Sequence, residues 1–148
     1  MNEKIIKLIA SCFYLGYVPI IPGTIGSLVG VVIYLLTGQS IVAYSVITIF
    51  LLVLGFLVCG KAEVAFGQKD SKRIVIDEVV GMSLTYFAIP LKFWTVSLGF
   101  FIFRILDLLK PFPAGSLQRR SGSSGVMCDD IFAGIYSNLV LRLVLLIL

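Results

Sequence analysis

Residues 41–60 read IVAYSVITIFLLVLGFLVCG, twenty consecutive positions without a charge. Twenty apolar residues wound as a helix span about 30 Å, the thickness of a bilayer's hydrocarbon core. Such a run predicts a transmembrane helix, and the rest of the chain agrees. Of 148 residues, 59% are hydrophobic and 14% charged, against roughly 45–50% and 25% in soluble domains. Mean hydropathy is +1.07. This leaves too little polar surface to cover a water-soluble globule. The length suits a single domain, 1–148.

Four further apolar stretches flank this run, at 27–37, 79–91, 93–109 and 131–148. The stretches at 27–37 and 79–91 are short, because eleven helical residues cover only about 16 Å. Short or re-entrant segments are tolerated where protein buries them. Near the N-terminus, Lys4 and Lys7 lie on a short apolar segment, the pattern of an amphipathic interfacial helix. Only four residues separate Lys7 from Cys12, too few for the apolar core of about 7–15 residues in a cleaved signal. The expected fold is therefore all-α: a multi-pass integral membrane helical bundle with short or re-entrant helices and an N-terminal interfacial helix.

If each stretch crosses once, the N-terminus and the polar regions 14–26, 61–78 and 110–130 share one face. Ten of the twelve Lys and Arg residues fall on it, the exceptions being Lys92 and Arg142. The positive-inside bias makes that face cytoplasmic. All eight acids fall there too; they do not set orientation, so their clustering needs another cause. The net charge of +4 faces anionic headgroups in such a protein rather than nucleic acid.

Histidine is absent, which removes histidine bases, phosphohistidine and histidine zinc ligands. Cys12, Cys59 and Cys128 form no CxxC pair and read as small buried hydrophobes. The available chemistry is that of carboxylates, hydroxyls and cations.

Four constellations carry it. Pro22-Gly23-Thr24-Ile25-Gly26-Ser27 precedes an apolar helix. Its glycines, its hydroxyls and a helix N-terminus can cradle a phosphate, or Ser27 can simply cap the helix. Asp77-Glu78 sits inside the apolar run 74–80. Such acids either bind a metal or cap a helix starting near Val79. Asp70, in a basic loop, can join them or be surface charge. Arg104, Asp107 and Lys110 recur every third residue and share a helix face. They can meet a phosphate and a divalent ion, or Arg104 and Asp107 can pair with each other. Asp129-Asp130 precedes Ile131, where a helix N-terminus favours one acid better than two; the basic Arg119-Arg120 upstream can approach an anionic headgroup. Carboxylate oxygens suit Mg²⁺ or Mn²⁺, which neutralises phosphate and acidifies bound water.

Taken together, these blocks resemble the phosphatidylglycerophosphatase A family of bacterial membrane phosphatases. The resemblance covers roughly residues 14–138 and rests on four blocks in one order: the Pro22 to Ser27 block, Ile76-Asp77-Glu78-Val79-Val80-Gly81-Met82, Phe103-Arg104-Ile105-Leu106-Asp107-Leu108-Leu109-Lys110-Pro111-Phe112-Pro113, and Gly125-Val126-Met127-Cys128-Asp129-Asp130-Ile131-Phe132-Ala133-Gly134. It implies Mg²⁺-dependent removal of the terminal phosphate of phosphatidylglycerophosphate at the bacterial cytoplasmic membrane, with the site facing the cytoplasm and an anionic phospholipid as partner. It also implies Asp77, Glu78, Asp107, Asp129 and Asp130 as the acidic catalytic and metal site. Thr24, Gly26, Ser27, Arg104 and Lys110 become phosphate contacts, with Asp70 an additional candidate. The chain departs from the family at Gln118, commonly an acid, and at Ser124-Gly125, commonly two glycines. The competing readings are a phosphatase for another lipid or isoprenoid phosphate, and a non-enzymatic cation carrier or scaffold. Headgroup transfer would need the spaced Asp-Gly, Ala-Arg, Gly and Asp pattern of alcohol phosphotransferases, which is missing.

Overall fold

A computed structural model of the chain describes residues 1–117 and 121–147. The expectations attached to Gln118, Arg119 and Arg120 lie outside the described residues. The described chain is all-helical: α1 (Glu3–Ala10), a 3-10 turn (Leu15–Tyr17), α2 (Pro22–Thr37), α3 (Ile41–Phe66), α4 (Ile76–Thr85), α5 (Phe93–Leu109), α6 (Ala114–Leu117) and α7 (Ser123–Ile147). Local chemistry sets the ends. The Asn2 side chain accepts from the Lys4 N–H at 3.1 Å, and Ser40 Oγ accepts from the Ala43 N–H at 3.3 Å, so both act as N-caps. Pro22 opens α2 at a position whose N–H has no helical partner. Gly67, at φ +63°, closes α3 in the left-handed conformation.

Two helices, α3 and α7, are long and apolar enough to cross a membrane. Helix α3 turns Val42, Val46, Phe50, Val53 and Leu57 outward and buries Tyr44, Thr48, Gly55, Val58, Cys59 and Ala62. Helix α1 lies against α3 and contributes Ile6 and Ala10 to the core with Val58, Cys59, Ala62 and Val126.

The ten-residue helix α4 is the centre of the bundle. It is packed by α7, α2 and α3, and eight of its residues are buried. At Gly134 on α7 a Cβ would stand 2.3 Å from the Gly81 carbonyl oxygen, so the two backbones touch there. Small residues permit such an approach between helices in an apolar medium.

A helix of about 15 Å ends inside the bundle, and the carbonyls at and just beyond its end need donors because packing shuts out water there. Neighbouring helices supply them. Tyr44 donates to the Ser83 carbonyl at 2.7 Å. Asn138 donates to the Thr85 and Phe87 carbonyls, both at 2.9 Å. Arg142 donates to the Phe87 carbonyl at 3.0 Å, and Tyr34 to the Ile89 carbonyl at 2.8 Å. Arg142, one of the two cations off the charged face in the sequence, is thus a carbonyl donor.

Several boundaries differ from the sequence expectation. Helix α4 starts at Ile76 and stops at Thr85 rather than filling 79–91, so Asp77 and Glu78 are in its first turn. Val75, not an acid, holds the N-cap position. Helix α2 starts at Pro22 rather than 27, so the glycine-rich block is its first turns and not a loop. Helix α3 runs on to Phe66 and α7 starts eight residues before 131. At the starts of α4 and α7 the buried acids interrupt the apolar pattern without interrupting the helix, whereas α3 runs on past the exposed Lys61 and the half-buried Glu63.

Candidate metal and phosphate site

The polar ends of α2, α4, α5 and α7 meet around a cleft of about 570 Å³ at one end of the bundle, a volume typical of small-molecule sites. Six acids line it: Asp70, Asp77, Glu78, Asp107, Asp129 and Asp130. Three cations join them: Lys72, Arg104 and Lys110. With all groups ionised, the described residues of the wall carry an excess of three negative charges, an arrangement that favours a cation.

Five of the acids come from three helices, and Asp70 from the loop before α4. Asp77 and Glu78 project from the first turn of α4, Asp107 from the last turn of α5, and Asp129 and Asp130 from about two turns inside α7. That depth removes the capping explanation for Asp129-Asp130, because the helix-dipole effect fades within the first turn. One carboxylate oxygen from each of Asp77, Glu78 and Asp130 can lie within 4.8 Å of the others. Among the described residues, four buried carboxylate oxygens have no hydrogen-bond partner: Asp77 Oδ1, Glu78 Oε2, Asp129 Oδ1 and Asp130 Oδ1. A buried carboxylate oxygen left this way costs on the order of 1–3 kcal/mol or more. A cation held by Asp77, Glu78 and Asp130 would give those three carboxylates a partner, so the residues fit a metal ion with hard oxygen ligands.

The cations are held by the outer acids. Arg104 Nη1 donates to Asp107 Oδ2 at 2.7 Å and to Ser27 Oγ at 3.4 Å. Lys110 Nζ donates to Asp129 Oδ2 at 2.7 Å. Lys110 reaches across because it stands at φ +46° just past α5, where its N–H still bonds the Leu106 carbonyl at 2.9 Å. Burial alone would lower the pKa of its ammonium, but the hydrogen bond and charge of Asp129, with Asp130 and Asp107 beyond, raise it. Both cations are therefore held beside the acidic cluster, the arrangement needed for a phosphate next to a metal.

The structure sorts the sequence candidates. Asp70, Asp77, Glu78, Arg104, Asp107, Lys110, Asp129 and Asp130 all line the cleft. Arg104 and Asp107 do pair, yet stay in its wall. Asp70 stands outside the group of three that approach within 4.8 Å. Thr24, Gly26 and Ser27 do not line the cleft. Gly26 is a packing residue, since a Cβ there would meet the Val75 carbonyl oxygen at 2.8 Å. Ser27 is fully buried, donates to the Gly23 carbonyl at 3.0 Å and steadies Arg104. The cradle expected from this block is thus a brace.

Three residues gain importance only in three dimensions. A Cβ on Gly23 would stand 2.4 Å from Glu78 Oε1, so only glycine leaves that carboxylate its place. Lys72 brings a third cation to the rim. Glu63, in the last turn of α3, accepts from the Asp70 N–H through Oε1 and from the Gly122 N–H through Oε2, both at 2.8 Å. It ties together the segments that lead into α4 and α7. A signal existed for it, because an acid at a helix C-terminus opposes the helix dipole and asks for a reason.

Comparison with known proteins agrees with this geometry. The family profile described as Phosphatidylglycerophosphatase A matches residues 8–145. The chain is 40% identical over 133 residues to "Phosphatidylglycerophosphatase A" of Escherichia coli strain K12, covering 88% of this chain and 77% of that protein. It is 34% identical over 139 residues to the Haemophilus influenzae protein of the same name, covering 91% and 85%. It is also 32% identical over 139 residues to a Bacteroides thetaiotaomicron protein named "Putative phosphatidylinositol-3-phosphatase", covering 88% and 87%. No solved structure matches. The match to nearly the whole chain, with the acids and cations of three of its four blocks gathered in one cleft, places this chain in the phosphatidylglycerophosphatase A family.

Proposed function

We propose that the chain hydrolyses the terminal phosphomonoester of phosphatidylglycerophosphate to phosphatidylglycerol and inorganic phosphate, as a step of phospholipid biosynthesis. The observation that carries this reading is the meeting of Asp77, Glu78 and Asp130, with orphaned buried oxygens, beside Arg104 and Lys110. The names of two relatives support the substrate. The protein is a multi-pass protein of the bacterial cytoplasmic membrane, with the cleft toward the cytoplasm. The bias of Lys and Arg toward the cleft end supports that orientation.

The metal of this reading is Mg²⁺, held by Asp77, Glu78 and Asp130 with Asp107 and Asp129 at its border. When bound it supplies Lewis acidity toward the phosphate and makes a coordinated water easier to deprotonate. The side chains do the rest. Arg104 and Lys110, pre-set by Asp107 and Asp129, bind the phosphoryl oxygens and balance the charge that develops on them. A carboxylate of the cluster takes a proton from the attacking water. The new bond forms between water oxygen and phosphorus, the ester P–O bond breaks, and the glycerol oxygen leaves with a proton. Asp70 and Lys72 form the outer rim of the cleft.

The test is phosphate release from phosphatidylglycerophosphate by the purified chain, with Mg²⁺ and with EDTA. Release that needs the metal supports the reading, and no release under either condition overturns it. The name of the Bacteroides relative favours a second reading, hydrolysis of another lipid phosphate. Relative kcat/KM values over a panel of lipid phosphomonoesters separate the two.

A further inference from the structure

The cleft wall has two chemistries. Its floor is acids and cations, but Ile21 and Leu108 also line it. Both are largely exposed, at 62% and 75%. Ile21 holds φ +52°, a left-handed conformation unusual for a β-branched residue. Leu108 continues an outward apolar stripe on α5, and Ile21 stands at the N-cap of α2, ahead of another. On α2 the stripe runs through Leu28, Val32 and Leu35, and on α5 through Phe101 and Ile105. These spacings of three and four residues keep each stripe on one helix face. Arg104 of α5 reaches Ser27 of α2 at 3.4 Å, so the two helices flank one seam with the guanidinium at its polar end.

We propose that this seam between α2 and α5 is the lateral binding site for the lipid part of a phosphomonoester. The glycerol and upper acyl chain lie over Ile21 and Leu108, and the phosphate reaches Arg104. This deepens the phosphatase reading and rests on it for the substrate class. A charged headgroup can then enter the cleft while its acyl chains stay in the hydrocarbon. The argument for a lipid occupant is the layout: exposed apolar side chains of α2 and α5 stand behind Ile21 and Leu108, and the wall that these two share carries cations held in ion pairs. Ile21 and Leu108 are specificity residues here, because a phosphomonoester with short chains makes little use of them.

The experiment compares dioleoyl with dihexanoyl phosphatidylglycerophosphate for the purified full chain. Ile21→Asn and Leu108→Gln are the seam variants. Asn tolerates the left-handed backbone at position 21, and Leu108 is exposed, so both variants keep the packing. Phe50→Gln makes the same kind of change on the outward face of α3, away from the cleft. Each seam variant should lower the dioleoyl-to-dihexanoyl ratio of kcat/KM by about tenfold, the size expected for lost apolar contact. Phe50→Gln should leave the ratio within about twofold of wild type, the error of such a comparison. A second readout needs no turnover. Phosphatidic acid with a diazirine near the glycerol end of one acyl chain should label residues 19–25 and 101–108, displaced by excess unlabelled phosphatidic acid. An unchanged ratio in both seam variants, an equal fall in Phe50→Gln, or displaceable label confined to α3 and α7 overturns the proposal. If wild type hydrolyses neither substrate, the phosphatase reading fails alone, and the labelling decides the seam.

Discussion

Replacing Asp130 by Asn should stabilise the metal-free protein while destroying its response to Mg²⁺. Asp130 is 4% exposed, its Oδ1 has no partner, and oxygens of Asp77 and Glu78 lie within 4.8 Å of it. Two unit charges at that separation repel by about 3.5 kcal/mol at an effective dielectric of about 20. Water in the cleft and side-chain relaxation relieve much of this, so removing one charge returns about 1–2 kcal/mol. In a chain of this size that is about 2–8 °C in Tm. Wild type should instead gain from the ion: Mg²⁺ at a hundredfold excess over its Kd contributes about 2.7 kcal/mol. The assay is thermal unfolding in detergent with EDTA or Mg²⁺, followed by fluorescence of Trp94, the one tryptophan. Asp130→Asn should melt above wild type in EDTA, show no rise with Mg²⁺, and release phosphate at least a hundredfold more slowly, by analogy with other lost charge-stabilising groups. A variant that melts below wild type in EDTA and still rises with Mg²⁺ would refute the reasoning, because the acids would then not share an ion.

Three further outcomes follow from single contacts. Gly23→Ala sets a Cβ against Glu78 Oε1; the carboxylate can swing away cheaply and alanine favours the helix by up to about 1 kcal/mol. Phosphate release should therefore fall about tenfold, as for a slightly misplaced site group, with Tm unchanged or raised. Glu63→Gln turns one of two acceptor oxygens toward the Asp70 or Gly122 N–H into an amide donor, costing about 1–3 kcal/mol. Hydrogen exchange should speed up at those two amides ahead of the rest of the chain, and a uniform change would count against the tie. Asn138→Leu strips the Thr85 carbonyl of its donor at the far end of α4, so Tm should fall by an amount worth about 1–3 kcal/mol. Its kcat/KM, measured well below that Tm, should change less than that of Gly23→Ala.

Residues 41–60 and the apolar composition were enough to predict a helical bundle with helices long and apolar enough to cross a membrane, because the hydrophobic effect acts on length and composition before any contact is specified. The concentration of acids and cations in three of the blocks was also readable, since charge in an apolar chain is costly and must serve something. The segment 93–109 matches α5 at both ends. Elsewhere the apolar pattern misplaced helix ends, as at Asp129-Asp130, because a helix continues through buried acids whose partners lie on other helices.

Only the tertiary structure decided which residues meet. Helical periodicity puts Arg104, Asp107 and Lys110 on one side of α5, but the left-handed turn at Lys110 is what carries its ammonium to Asp129. The block around Thr24 reads as a phosphate cradle in one dimension. In three, Gly23 and Gly26 make room for α4, and Ser27 braces Arg104. The roles of Glu63 and Arg142 are set by carbonyls and amides more than fifty residues away in the chain. A sequence displays which groups are costly to bury, and packing alone settles which neighbour satisfies each of them.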